Sequence, residues 1–176
     1  MVDYDVSPIV RTERLRLRRP RPTDAARVAR LADDLDVARM TATMPHPYGI
    51  DDARAFLERA DRADPVRHAE FALERDGELV GMLGFHPMEA GRCELGYWLG
   101  RPYWGQGYAT EAVRAALRWA KVEWGRRFVM ARHFSDNPAS GEVLCKAGFL
   151  YTGEVTLTFS RARGEAAASR TMVWLA

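Results

Sequence analysis

The segment Glu94–Ala112 carries residue types that suit the binding of an anionic ligand. An apolar, strand-like stretch leads into a turn with Gly105 and Gly107, and a helix-forming stretch follows. Backbone N–H groups at the start of a helix lack intrahelical partners, and the helix dipole places partial positive charge there. Two glycines leave room for an anion to approach that backbone. The pattern therefore predicts a binding turn for a diphosphate group.

The spacing of the two glycines argues against two common phosphate-binding motifs. No Gly-Lys-Ser or Gly-Lys-Thr sequence follows the turn, which argues against a phosphate-loop nucleotidase. Thr110 stands where the dinucleotide fingerprint Gly-x-Gly-x-x-Gly requires its third glycine. A Gly-x-Gly sequence before a helix is also compatible with a merely structural turn, and that alternative stays open at this point.

Several stretches, taken jointly and in order, resemble the GNAT N-acetyltransferases. Within that superfamily they resemble the RimJ/RimL-like branch, which includes ribosomal-protein N-terminal acetyltransferases. The matching stretches are TERLRLR at 12–18, GMLGF at 81–85, ELGYWL at 94–99, YWGQGYATEA at 103–112, NPAS at 137–140 and KAGF at 146–149. The resemblance implies one acetyltransferase domain over residues 1–176, which passes an acetyl group from acetyl-CoA to a primary amine.

The resemblance also implies where the coenzyme binds. In the family, the turn that matches Gly105–Thr110 binds the pyrophosphate through backbone N–H groups, and the strand that matches Glu94–Leu99 pairs with the pantetheine arm. Asn137 matches an asparagine that binds the pantetheine amide, although a helix cap is an equally plain role. The expected coenzyme contacts are Tyr97, Trp98, Leu99, Trp104, Gly105, Gln106, Gly107, Tyr108, Ala109, Thr110, Asn137 and Ser140.

The reaction needs a base, a group that stabilises the oxyanion, and an acid for the departing thiolate. Glu94 is predicted to be the base, acting directly or through water, and the alternative is a structural ion pair with an arginine. For the oxyanion, we expect a strand N–H freed by a bulge at Gly96. Many relatives carry a tyrosine acid where this chain has Leu144. Ser140 resembles the serine proposed as acid in the RimL-like branch, and simple helix packing is its alternative.

Composition and charge narrow the classes of protein. A formal net charge of +2 makes nucleic-acid binding unlikely, and no apolar run is long enough to span a bilayer. Met1–Val10 does not read as a secretory signal, so we expect a cytoplasmic protein. Cys93 and Cys145 cannot form a four-cysteine zinc site, and the four histidines show no pair at i,i+4, so no metal is predicted.

The acceptor remains open between a protein N-terminus and a small-molecule amine. Arg39–Ile50 and Thr156–Ser169 are expected to line its pocket. A homodimer is compatible with the sequence. A different class of function, a non-catalytic acyl-CoA-binding regulatory module, is the alternative to an enzyme.

Periodicity predicts the elements that must position these groups. Strands are expected over 14–18, 71–75, 79–85, 93–99, 128–132, 149–159 and 171–175, with a hairpin at Asp76-Gly77 and a polar turn over 161–169. Helices are expected after caps at Thr23, Asp51 and Asn137, and over 110–124. Together with these elements, the resemblance to the GNAT family implies an α/β (α+β) fold. It implies a mixed, mostly antiparallel sheet, helices on both faces, and a coenzyme cleft where 94–99 and 128–132 splay apart.

Overall fold

The computed structural model describes residues 9–176, so most of Met1–Val10, which is not predicted to be a secretory signal, lies outside the described residues. The strands are β1 Val10–Arg11, β2 Arg16–Arg18, β3 Ala69–Arg75, β4 Glu78–Pro87, β5 Cys93–Leu99, β6 Phe128–Phe134, β7 Leu150–Ser160 and β8 Glu165–Leu175. The helices are α1 Ala25–Ala32, α2 Leu35–Ala38, α3 Ile50–Arg62, α4 Tyr108–Val122 and α5 Pro138–Lys146. Over the described range, no helix is both long and apolar enough to cross a membrane.

The strands of residues 9–176 form one sheet in the order β1-β2-β3-β4-β5-β6-β8-β7. Each neighbouring pair is antiparallel except β5 and β6, which are parallel. A parallel pair needs a crossover connection, and here α4 provides it. The prediction of a mixed, mostly antiparallel sheet is confirmed.

Helices cover both faces of the sheet, as predicted. On one face α4 and α5 pack through Val113, Leu117 and Leu144 against Phe71, Phe85 and Val129. On the other face α1, α2 and α3 bury Val28, Val37 and Leu57 with Met82. Because each strand alternates its side chains between faces, β3 contributes Phe71 and Leu73 to one core and Ala72 to the other.

The β3–β4 and β7–β8 hairpins differ in how well local sequence predicts their turns. Asp76 and Gly77 adopt positive φ angles of 50° and 83°, which confirms the predicted tight turn between β3 and β4. The polar turn predicted over 161–169 is too long, because β8 begins at Glu165 and the turn is only 161–164. Ala166 to Ser169 pair with β7 despite the low strand propensity of alanine, so cross-strand pairing overrides local preference there.

Two helices begin at other residues than those predicted. Helix α4 begins at Tyr108, two residues before the predicted start at Thr110, because Gly107 caps it. Helix α3 begins at Ile50 with Gly49 as its N-cap, and the Asp52 carboxylate accepts a hydrogen bond from the Gly49 N–H at 2.9 Å. Both helices therefore begin after a glycine rather than after a polar capping side chain.

A buried ion cluster ties the first strands to the entry of α1. Arg18 donates to both carboxylate oxygens of Asp24, at 2.8 and 2.9 Å, and through Nε to Glu74 at 2.6 Å. Burial alone would raise the pKa of Asp24, but its hydrogen bonds with the Arg18 side chain and the Arg21 N–H leave the pKa below its usual value. The cluster crosslinks β2, β3 and the turn before α1.

Candidate active site

The turn between β5 and α4 has the backbone that an anion site requires. Gly105 and Gly107 adopt positive φ angles of 72° and 81°, a region that favours glycine. The Trp104 indole donates to the Leu99 carbonyl at 2.8 Å, and the Gln106 amide donates to the Pro102 carbonyl at 2.9 Å. These bonds hold the turn against the end of β5. The first N–H groups of α4, from Tyr108 onward, are then available at the helix N-terminus.

A distant arginine fixes the outer side of this turn. The Arg14 guanidinium donates to the Gln106 carbonyl at 2.9 Å and to Glu111 Oε2 at 2.7 Å through Nε. Thr12 donates to the other Glu111 oxygen at 2.6 Å. Burial would raise the pKa of Glu111, but the bonds from Thr12 and Arg14 lower it. No local sequence pattern predicts these contacts among Thr12, Arg14, Gln106 and Glu111; their sequence signal is that both segments lie in family-like stretches.

A basic groove continues from the turn along the outer side of α4. Its volume is about 850 Å³, and Gly107 and Thr110 form the end that meets the turn. Its cationic lining residues are Arg11, Arg14, Arg114, Arg118 and Lys146, and its acidic ones are Glu13, Glu111 and Glu123. This excess of positive charge suits a ligand that carries phosphate groups.

The sheet opens where the pantetheine arm is expected. Strands β5 and β6 pair only from Cys93–Leu95 to Val129–Ala131, so residues 96–99 of β5 diverge from β6. The diverging edge leads directly to the glycine turn at 105–107. An extended ligand can pair with such an unpaired edge through main-chain hydrogen bonds. The predicted splay between these strands is present.

The prediction of a β-bulge at Gly96 is wrong. The β4–β5 ladder runs without a register shift from Gly81–Leu99 to Pro87–Cys93, and Gly96 lies opposite Gly84. A Cβ at Gly96 would lie 3.6 Å from His86 Nε2, an ordinary van der Waals contact, so space alone does not require glycine there. No strand N–H of β5 is turned out of the β4 ladder in the way predicted.

Tyr97 and Ser140 meet across the splayed region. The Tyr97 hydroxyl lies 2.8 Å from Ser140 Oγ, and its single proton can be donated either to that oxygen or to the Ser140 carbonyl at a longer 3.3 Å. Asn137 caps α5, and its Oδ1 accepts from the Ser140 N–H at 3.2 Å. Burial raises the pKa of Tyr97 to about 12, an effect that the bond with Ser140 partly offsets. The phenol therefore keeps its proton near neutral pH. The sequence analysis named both residues but not their contact.

Leu144 occupies the same helix one turn beyond Ser140. It is 1% exposed and belongs to the main core with Leu95 and Phe149. Where many relatives carry a tyrosine, this chain therefore has an apolar side chain that packs in the core. Tyr97 lies on the part of β5 that diverges from β6, and Ser140 contacts it there.

Glu94 forms the ion pair that the sequence analysis kept as its alternative. Arg132 of β6 donates to both Glu94 carboxylate oxygens, each at 2.8 Å. The hydrogen bonds with Glu94 raise the pKa of Arg132, against the effect of burial. About a fifth of the Glu94 side chain remains exposed, at 22%. The carboxylate is therefore positioned and still open to water.

The other predicted coenzyme contacts divide between cleft and core. Trp98 packs against the core cluster of α1–α3, and the Leu99 side chain is buried. Tyr108 is also buried, and its ring lies 4.6 Å below the Arg14 guanidinium. Ala109 packs beside the main core, whereas Thr110 lines the basic groove. For the buried side chains, a contact with the coenzyme would have to come from backbone atoms.

The two segments expected to line the acceptor pocket come together at the hairpin tip. Ser160 Oγ donates to the Thr41 carbonyl at 3.0 Å, and the Arg161 N–H donates to the Ala42 carbonyl at 3.0 Å. Arg163 forms a double hydrogen bond with Asp136 at 2.8 and 2.9 Å. The β7–β8 tip and the loop after α2 thus form one continuous wall.

Comparison with known proteins relates this geometry to a family. The family model "Acetyltransferase (GNAT) domain" matches residues 14–150. An uncharacterised N-acetyltransferase of Bacillus subtilis, YoaA, is 28% identical over 83% of this chain and 85% of its own length. The ribosomal-protein-serine acetyltransferase of Escherichia coli is 34% identical over 47% of this chain and 48% of its own.

Solved structures agree with the fold. RimJ of Mycobacterium smegmatis, in complex with CoA-disulfide, superimposes with a TM-score of 0.83 at 22% identity, over 97% of this chain and 87% of that one. The family model covers more than half of the chain, with the glycine turn and the splayed strands inside it. The chain belongs to the GNAT family and is an N-acetyltransferase that uses acetyl-CoA.

Proposed function

We propose that this enzyme acetylates the N-terminal amine of a protein by direct transfer from acetyl-CoA, with Glu94 and Ser140 on opposite sides of the reacting carbon. The observation that carries this proposal is the arrangement around the open edge of β5. The glycine turn lies at one end of that edge, and Glu94 lies at its paired end. Tyr97 lies on the edge itself and contacts Ser140 of α5.

On the acceptor side, we assign Glu94 as the base that acts through water. Arg132 uses one acceptor site on each carboxylate oxygen, and a carboxylate offers about four such sites. The remaining sites can accept from a water, because the side chain is partly exposed. The amine nitrogen attacks the thioester carbonyl, and its proton passes through that water to Glu94.

On the leaving-group side, we assign Ser140 as the acid. A serine hydroxyl is a weak acid, so it needs a fixed orientation to donate its proton to the departing sulfur. Tyr97 can supply that orientation by donating to Ser140 Oγ, which directs the serine proton away from the phenol. Asn137 holds the serine backbone at the first turn of α5.

Two considerations support a protein N-terminus as the acceptor. The Escherichia coli relative is named as a ribosomal-protein-serine acetyltransferase. The wall over the acceptor side carries Arg39, Arg161 and Arg163. Asp36 pairs with Arg39 and Asp136 pairs with Arg163, which leaves Arg161 as the cation in excess. Such a wall disfavours polycationic amines by charge repulsion, whereas a peptide presents one amine followed by a neutral backbone.

The test is acetyl transfer to a panel of acceptors at fixed acetyl-CoA. Peptides with Ser or Ala at the N-terminus are compared with the same peptides blocked at the N-terminus, and with spermidine and free amino acids. We expect transfer to the free N-termini only. Transfer to spermidine or amino acids instead would refute the peptide assignment, and coenzyme binding without any turnover would favour the regulatory module.

We also propose that the protein acts in the cytoplasm, where such acceptors are made, and that it forms a homodimer. Leu157 and Phe159 of the edge strand β7 are large apolar side chains that are 77% and 57% exposed. Light scattering of the purified chain tests the dimer, and a monomer at all concentrations would contradict it. Fractionation of the native cells tests the location.

A further inference from the structure

Three side chains with metal-binding atoms converge on the sheet face that also carries Glu94. His68 immediately precedes β3, Glu70 lies on β3, and His86 lies on the adjacent β4. One ligand atom from each lies within 4.8 Å of the other two. His68 Nε2 and Glu70 Oε2 are 3.2 Å apart, and the two imidazole rings have centroids 5.0 Å apart. Across the described range, this is the group in which three such ligands assemble.

Glycines on the neighbouring strands make room for the cluster. Glu70 pairs with Gly84, and Gly84 pairs with Gly96, so the three residues form one row across the sheet. A Cβ at Gly84 would lie only 2.3 Å from Glu70 Oε2, so the carboxylate occupies space that any other residue would fill. Because Gly84 and Gly96 carry no side chains, the three ligands have space to approach one another above the sheet.

The Glu70 carboxylate is largely removed from water, which makes an uncompensated negative charge there unfavourable. The Glu70 side chain is 6% exposed and that of His68 is 18% exposed. A carboxylate removed from water needs compensating positive charge. The contact with His68 occupies one acceptor site of the Glu70 carboxylate, and a divalent cation would supply the opposite charge.

We propose that His68, Glu70 and His86 form a binding site for a divalent transition-metal ion of the Zn²⁺ class. Imidazole and carboxylate together suit Zn²⁺ and Co²⁺ better than Mg²⁺ or Ca²⁺. Ligands about 2.0 Å from a tetrahedral ion lie about 3.3 Å from one another, which matches the 3.2 Å between His68 and Glu70. The His86 ligand atom lies within 4.8 Å of the other two, so metal binding requires the His86 side chain to move closer to them. Water completes the fourth position.

This site differs from the expectation of no metal in the sequence analysis. The spacing rule compares histidines four residues apart on a helix. These ligands instead come from β4, from β3 and from the residue before β3, and the two histidines are 18 positions apart. The site is independent of the proposed acetyl transfer, because neither Glu94 nor Ser140 is a ligand. His86 pairs in register with Glu94, so a bound ion would lie beside the acceptor side.

The test is titration of the full chain, freed of any affinity tag and of metal, with Co²⁺ and then Zn²⁺. We expect one Co²⁺ per chain, with visible absorption bands typical of four-coordinate cobalt that Zn²⁺ abolishes by displacement. His86→Ala, His68→Ala and Glu70→Gln should each weaken Co²⁺ binding at least tenfold. His86 is exposed, so His86→Ala is the variant least expected to disturb folding, and thermal unfolding checks each protein.

His46→Ala is the matched control. His46 Nδ1 lies 3.5 Å from Asp33 Oδ1, which is also a histidine–carboxylate pair but belongs to no cluster of three ligands. We expect this variant to bind Co²⁺ like the wild type. The proposal is overturned if the wild type takes up no stoichiometric Co²⁺, if folded His86→Ala binds as tightly as the wild type, or if His46→Ala abolishes binding.

Discussion

The contact between Tyr97 and Ser140 can be tested by a double-mutant cycle. Tyr97→Phe removes the phenolic hydroxyl that lies 2.8 Å from Ser140 Oγ and leaves the ring in place. Ser140→Ala removes the proposed acid and leaves the helix intact. If Tyr97 orients Ser140 for proton transfer, its hydroxyl matters to the rate only while the serine is present. The phenylalanine substitution should then have little effect in the Ser140→Ala background.

The expected magnitudes follow from the bonds involved. Loss of a general acid costs about 10²-fold or more in the chemical step, which we expect for Ser140→Ala. A neutral hydrogen bond contributes about 0.5–1.5 kcal/mol, so Tyr97→Phe should slow transfer by roughly two- to tenfold. The double variant should be no slower than Ser140→Ala. Coenzyme affinity should change less than the rate in all three proteins.

Single-turnover acetyl transfer measures the chemical step, and urea unfolding measures stability in parallel. The reasoning is refuted if folded Ser140→Ala transfers acetyl as fast as the wild type. It is also refuted if the two substitutions slow transfer by factors that simply multiply, because independent effects would mean that Tyr97 does not act through the serine. If the variants lose stability but keep the wild-type rate of acetyl transfer, both residues have only a packing role.

Three further predictions concern the turn, the base and the buried ion cluster. Gly107→Val should weaken acetyl-CoA binding more than tenfold in calorimetry, because φ is 81° there, whereas Gly164→Val, at φ 70° on the hairpin tip, should leave affinity unchanged. Glu94→Gln should retain coenzyme binding and lower turnover by about 10²-fold. A variant that keeps nearly the wild-type kcat across the pH range would show that the Glu94 carboxylate has a structural role only. The free energy of unfolding should fall as the pH drops below the ordinary Asp pKa of 3.8, since Arg18 contributes to the lowered folded-state pKa of Asp24. Asp24→Asn should be less stable at neutral pH and should flatten that acid dependence; an unchanged pH profile would argue against the assignment.

Local sequence is sufficient to predict a turn or a helix start where one or two residue types set the backbone conformation. Asp76-Gly77 predicts a hairpin because both residues tolerate positive φ, and Asn137-Pro138 predicts a helix start because asparagine caps and proline fits the first turn. The glycine turn before α4 belongs to the same class. Strand β8 does not, since the alanines at its start pair with β7 only in the folded sheet.

The sequence by itself therefore determined the family-like turn, the order of most elements and the residue types at the cleft. Only the tertiary structure decided which of these side chains meet. Tyr97 and Ser140 are 43 residues apart, Glu94 and Arg132 are 38 apart, and Arg14 and Glu111 are 97 apart. His68 and His86 come together because β3 and β4 pair in one register, and a shift by one residue would send their side chains to opposite faces. Such contacts depend on strand register and helix packing, which no local pattern contains.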